Sequence, residues 1–154
     1  MLGDSRLAGM VPAAIALAML AFHLWVVAVG APETFHFRST HLLFALVLIF
    51  LWFPVLTGGL RRRAVAGAFI DCAFLAASAA VVGYIFLEHD YILTRFAYVD
   101  DLKPADAILG VTILVVVLEA ARRTVGLALP ITALAFLLYA VLIANLGPGE
   151  LIDQ

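Results

Sequence analysis

The placement of charge constrains this chain more than any other feature. Of its 154 residues, 9 are Lys or Arg and 11 are Asp or Glu. They cluster, and the windows 7–32, 39–60 and 124–149 contain none of them. A helix needs about 20 apolar residues to cross a hydrocarbon core of about 30 Å. Each window meets that requirement. Apolar residues reach 66% of the chain, against roughly 45–50% in an ordinary soluble domain. A small soluble domain has too little interior to hide so much apolar surface. Composition therefore excludes a soluble enzyme, a disordered tail and a disulfide scaffold. The formal net charge of −2 gives no reason to expect a nucleic-acid partner. A single cysteine, Cys72, excludes an internal disulfide and any multi-cysteine metal site.

Two more segments are apolar but less clean. Residues 64–87 are interrupted only by Asp71. Residues 105–121 carry Asp106 and Glu119 near their ends and would be about 26 Å long as a helix. Modest bilayer thinning and snorkelling of the end charges cover that shortfall. A single helix over 105–146 is excluded, since it would be roughly 63 Å long. It would also bury Arg122 and Arg123 mid-membrane at about 2.5–3.5 kcal/mol each. The sequence thus predicts one all-α domain over 1–154, an integral membrane helical bundle. Its hydrophobic helices cover about 7–29, 41–60, 65–87, 105–121 and 126–146: four transmembrane helices plus a fifth C-terminal one. Segment length and the lack of strict alternation favour helices over barrel strands. Residues 88–104 are predicted as a charged loop, with Tyr91 and Tyr98 as interface anchors. Pro12, Pro54 and Pro130 are read as boundary or kink residues.

Basic residues near span ends favour the cytoplasmic side. With the N-terminus inside, Arg6, Arg61, Arg62, Arg63, Arg122 and Arg123 are inner and only Arg38, Arg95 and Lys103 are outer. That asymmetry selects the N-inside threading, and five spans then put the C-terminus outside. The first hydrophobic stretch exceeds the 7–15 residues of a signal-peptide core and is read as a span.

Asp71 is the most unusual side chain, because an ionisable group in a span marks a functional site by default. A proton or cation site is one reading. The favoured one is an interface role, opposing the positive end of its helix and within reach of Arg61, Arg62 or Arg63. Glu119, Arg122 and Arg123 stand at i, i+3 and i+4, which sets one carboxylate beside two cations in the favourable order. They read as an interface ion cluster that fixes helix depth. Among His23, His36, His41 and His89, only His23 falls clearly within a span. It is expected to hydrogen-bond to a neighbouring helix rather than to serve as a haem ligand. Small residues four apart, Ala73/Ala77, Ala76/Ala80 and Ala79/Gly83, allow close helix packing in lipid. There is no P-loop, no HExxH and no nucleophile–base pair. No catalytic residue, cofactor or metal site is expected, and no pair of broken helices marks a transporter core.

The run Leu118-Glu-Ala-Ala-Arg-Arg-Thr-Val-Gly-Leu-Ala-Leu-Pro130, with 131–142 after it, resembles the small-subunit region of TAXI-type TRAP transporters (tripartite ATP-independent periplasmic transporters). Ala21-Phe-His-Leu-Trp25, Pro32-Glu33, His41-Leu-Leu-Phe-Ala45 and Asp106-Ala-Ile-Leu-Gly110 are similar to other parts of the same four-helix region. In that family this region often precedes the large permease on one polypeptide. The resemblance implies a sodium-coupled secondary transporter of organic acids in a bacterial inner membrane. Its partners would be a large permease subunit and a periplasmic TAXI-type substrate-binding protein. Substrate and sodium sites belong to the large subunit, so the resemblance assigns no ligand residue here. Two other classes stay open: the membrane anchor of a redox or quinone complex, and a self-sufficient homo-oligomeric transporter built around Asp71.

Overall fold

A computed structural model describes residues 2–55, 61–96, 100 and 102–142, with the side chains of 2–8 and 61–64 outside that description. The described residues form helices joined by short connections, with no strand among them. In chain order they form α1 (Leu2–Val29), α2 (Thr34–Trp52), α3 (Arg61–Leu87), α4 (His89–Thr94), α5 (Pro104–Val125) and α6 (Ala128–Leu142). Four spans are long and apolar enough to cross a membrane: Gly9–Val29, Thr34–Trp52, Val65–Leu87 and Pro104–Val125. The fifth apolar helix, α6, is shorter at 15 residues. The chain forms two units, Met1–Ile85 and Phe86–Gln154.

In the first unit, α1 and α2 form an antiparallel pair closed by a sharp connection. Gly30 adopts φ +113°, and its N–H donates to the Val26 carbonyl at 2.9 Å. Glu33 then caps α2, its carboxylate accepting from the N–H groups of Phe35 (2.8 Å) and His36 (3.2 Å). These bonds satisfy donors that a helix start leaves open. Phe22 of α1 meets Phe37 and Phe44 of α2 at 6.0 Å. Farther along, Phe50 of α2 stacks on Phe74 of α3 at 5.3 Å. Phe50, Leu46 and Ser78 are fully buried. The Ser78 hydroxyl donates to the Phe74 carbonyl of its own helix, so no polar atom is left open there.

Helix boundaries differ from the sequence reading in instructive ways. The second hydrophobic helix was expected over 41–60 but runs Thr34–Trp52. The Pro32–Glu33 cap starts it early. Pro54 ends it, since proline disfavours helix in the residue before it. Arg38 therefore lies inside the helix, one turn from its N-terminal end, where a long cationic side chain can snorkel toward water. The fourth span has 22 residues, about 33 Å, so it needs none of the bilayer thinning inferred for 105–121. Pro12 is not a helix end: it sits inside α1, three residues into the Gly9–Val29 span. The loop 88–104 contains the short helix α4. Residues 143–146, assigned to the fifth helix, and Tyr98 lie outside the described residues.

In the second unit, α5 starts on Lys103 and Pro104, with proline at the first helical position, where its missing N–H costs nothing. It ends at Gly126, whose φ of +90° and ψ of −166° lie in a region essentially restricted to glycine. The Gly126 N–H donates to the Arg122 carbonyl at 3.2 Å. Leu127 opens α6, accepting from Ile131 at 3.0 Å, and α5 and α6 pack together. Gly126→Ala should therefore destabilise the protein by about 1–3 kcal/mol through backbone strain alone, because nothing lies within 4 Å of an added Cβ. Gly83→Ala, equally uncrowded but helical, should be neutral or stabilising. Thermal unfolding of the two variants in detergent compares them directly.

Candidate functional site

Four polar clusters are built by these helices, two in each unit. In the first unit, Asp71 sits in the third turn of α3 and is 9% exposed. Its carboxylate accepts from the Val55 N–H, at 3.3 Å to Oδ2 and 3.4 Å to Oδ1. Val55 follows Pro54, just beyond the end of α2. Asp71 thus ties α3 to the peptide leaving α2, at a point where no helical carbonyl is available. Because Asp71 stands level with that end, residues 61–70 of α3 run on past α2 by about 15 Å. A group this far along is beyond the reach of the helix-end dipole, which acts within the first turn. The side chains of Arg61, Arg62 and Arg63 lie outside the described residues.

The second cluster joins α1 to α2. His23 Nδ1 lies 2.7 Å from the Met19 carbonyl, one turn back on its own helix. His23 Nε2 lies 2.9 Å from His41 Nδ1, with the rings nearly perpendicular. A carbonyl only accepts, so His23 Nδ1 carries hydrogen, and in the neutral pair His41 donates to His23. Phe22 and Phe37 close on the His23 ring at 5.3 and 6.0 Å. The sequence reading left His41 at a helix boundary, whereas the early start of α2 puts it two turns inside a span.

In the second unit, Glu119, Arg122 and Arg123 come together at the end of α5. The Glu119 carboxylate accepts Arg122 Nε at 2.7 Å and Arg122 Nη2 at 2.8 Å. It also accepts Arg123 Nε at 2.7 Å. A bidentate guanidinium pair of this kind is geometrically specific as well as strong. The two cations also oppose the negative C-terminal end of α5.

The fourth cluster was not recognised in the sequence. Asp106 Oδ2 accepts both the Lys103 N–H at 3.0 Å, capping α5, and the Tyr91 hydroxyl at 2.7 Å. Lys103 Nζ donates to Glu88 at 2.6 Å and lies 3.7 Å from the Tyr91 ring centroid. Pro104 with Asp106 two residues on is the local signal that could have revealed this helix start. The ion pair with Glu88 holds the Lys103 ammonium above its ordinary value. The hydrogen bond to Asp106, then burial, raises the Tyr91 phenol above 10.0.

These features define an all-α, multi-pass membrane protein whose ionised side chains gather at helix ends. No known family, curated protein or solved structure matches the chain.

Two outcomes follow for these clusters. Asp71→Ala should cost about 1–3 kcal/mol, the penalty of leaving a part-buried N–H unmet, while Asp71→Asn, which keeps an acceptor oxygen, should cost less. Unfolding of both variants in the same detergent measures the difference. The Tyr91 hydrogen bond stabilises the folded chain below pH 10.0, because the folded state holds the phenol proton more tightly. That contribution is lost as pH rises through the folded-state value. Ultraviolet difference titration of wild type against Tyr91→Phe should show tyrosinate appearing above pH 10.0, and at a lower pH than in wild type once Asp106 is changed to Ala.

Proposed function

We propose that this chain is the small membrane subunit of a TAXI-type TRAP transporter, a sodium-coupled secondary transporter of organic acids. It acts as a scaffold and not as an enzyme. In this reading it lies in a bacterial inner membrane with its N-terminus in the cytoplasm, in line with the excess of arginine on that side. It packs laterally on the large permease subunit, which works with a periplasmic substrate-binding protein. Alternating access requires one body to rock against another. A fixed, lipid-anchored partner supplies the body that does not move.

The observation that carries this reading is the segment 118–130. It is the most family-like stretch of the sequence, and it forms the joint between α5 and α6. The bidentate Glu119–Arg122 pair and the glycine-only turn at Gly126 hold this joint in one shape. The helix surfaces lend further support. Val27, Phe69 and Leu87 are 80–86% exposed, as suits side chains facing lipid or another membrane protein. Ala73, Ala76, Ala79 and Ala80 of α3 are exposed as well, and small residues let a second backbone approach closely.

Uptake into cells or liposomes carrying the large subunit with and without this chain tests the proposal. Transport is expected only when both are present, with the affinity of the soluble binding protein for substrate unchanged. The large subunit should also co-purify with this chain in mild detergent. Uptake by the large subunit alone would rule out the scaffold role.

A further inference from the structure

The His23–His41 contact does more than join two helices. Both residues lie roughly 10 Å along their helices from the span ends Val29 and Thr34. The described hydrogen-bond and ring partners of the two imidazoles are Met19, Phe22, Phe37 and each other. No carboxylate, thiolate or cation joins them among the described residues. The Met19 carbonyl fixes the His23 tautomer, leaving the Nε2 lone pair aimed at His41. Metal-binding histidines are held in the same way, with the second ring nitrogen donating to a backbone carbonyl. Met19 stands four residues before His23, on the same helical face. Residues four apart on a helix are neighbours, with Cβ atoms about 5–6 Å apart, and the unbranched Met19 side chain is flexible enough to swing its thioether to the pair.

We propose that His23, His41 and Met19 form a binding site for a single Cu(I) ion. Two imidazoles and a thioether are a soft, neutral donor set, which selects Cu(I) over harder cations. Charge argues in the same direction. The desolvation cost of an ion grows as the square of its charge, so a divalent ion costs roughly fourfold more than a monovalent one in the same low-dielectric place. No anionic ligand is present at the pair to offset that excess. Nitrogens each about 2 Å from one ion are roughly 3.3–4 Å apart, depending on the angle between them. The present 2.9 Å widens to that range by a small rotation of the rings. His41 then coordinates through Nδ1, and the hydrogen it had donated moves to its Nε2. Both imidazoles stay neutral, so binding releases no net proton.

The test is a titration of the purified full chain in detergent with Cu(I), under anaerobic reducing conditions, against the chromogenic chelator bicinchoninate. One ion per chain is expected. His23→Gln and His41→Gln should each weaken binding by at least about tenfold, as even loss of an outer-shell partner does. Met19→Leu, which preserves shape and helicity, should weaken it too and remove the sulfur ligand from the copper X-ray absorption spectrum. His36→Gln should leave affinity unchanged, and equimolar Zn(II) should not compete. The proposal fails if no stoichiometric binding occurs, if His41→Gln or Met19→Leu binds as wild type does, or if Zn(II) displaces the ion. These outcomes bear on the copper site whether or not the chain serves a transporter.

Discussion

A peptide group in hydrocarbon has no water to bond to, and the rest of this structure depends on that constraint. Inside a helix every N–H and C=O finds a partner in the same segment. The difficulty moves to the helix ends, where several groups are left over. At the described ends the chain supplies partners from its own sequence. Glu33 receives the first donors of α2. Asp71 reaches from the side of α3 to the peptide just past α2. Asp106 folds back on Lys103, and glycines at 30 and 126 turn their N–H groups onto the last carbonyls of α1 and α5. Nearly every ionised side chain of known position is thus part of a terminus, which is why so few charges suffice for so many helices.

The same economy explains how much of the fold could be read from the sequence. Charge-free windows mark lipid-facing segments directly, so the number and kind of the apolar helices were legible, while the short polar helix α4 was not. Their limits were less so, because a charge at a cap looks the same in sequence as a charge in a loop. Glu33 and Arg38 resembled a water-exposed connection, yet one caps α2 and the other lies within it. The fourth helix was expected from 105, one residue after its start at Pro104, but the role of Asp106 in capping that start was not evident. At the other end Arg122 and Arg123 continue α5 by a turn, bent back onto Glu119. That ion cluster was legible because its members are three and four residues apart, a spacing that a helix alone brings together.

Contacts between helices follow a different rule. His23 and His41 are eighteen residues apart, and only the turn length and the register of α1 on α2 bring them face to face. Lys103 with Glu88, and Tyr91 with Asp106, are each fifteen apart. No periodicity announces such pairs. They come from the geometry of a connection, here the tight Gly30 turn and the short helix α4. Polar groups of this kind are few in the described spans. Where they occur they meet one another, because in lipid an unmet polar group has nowhere else to turn.

The 27 residues of α3 make a rod of about 40 Å, set beside an α2 of 19 residues, about 28 Å. The hydrocarbon slab is about 30 Å thick, so α2 matches it while α3 has turns to spare. The excess lies beyond the Asp71 tether, as a helical stalk of ten residues. Membranes of different thickness can then be met by drawing this stalk in or letting it out, with the paired part of the helices left as it is.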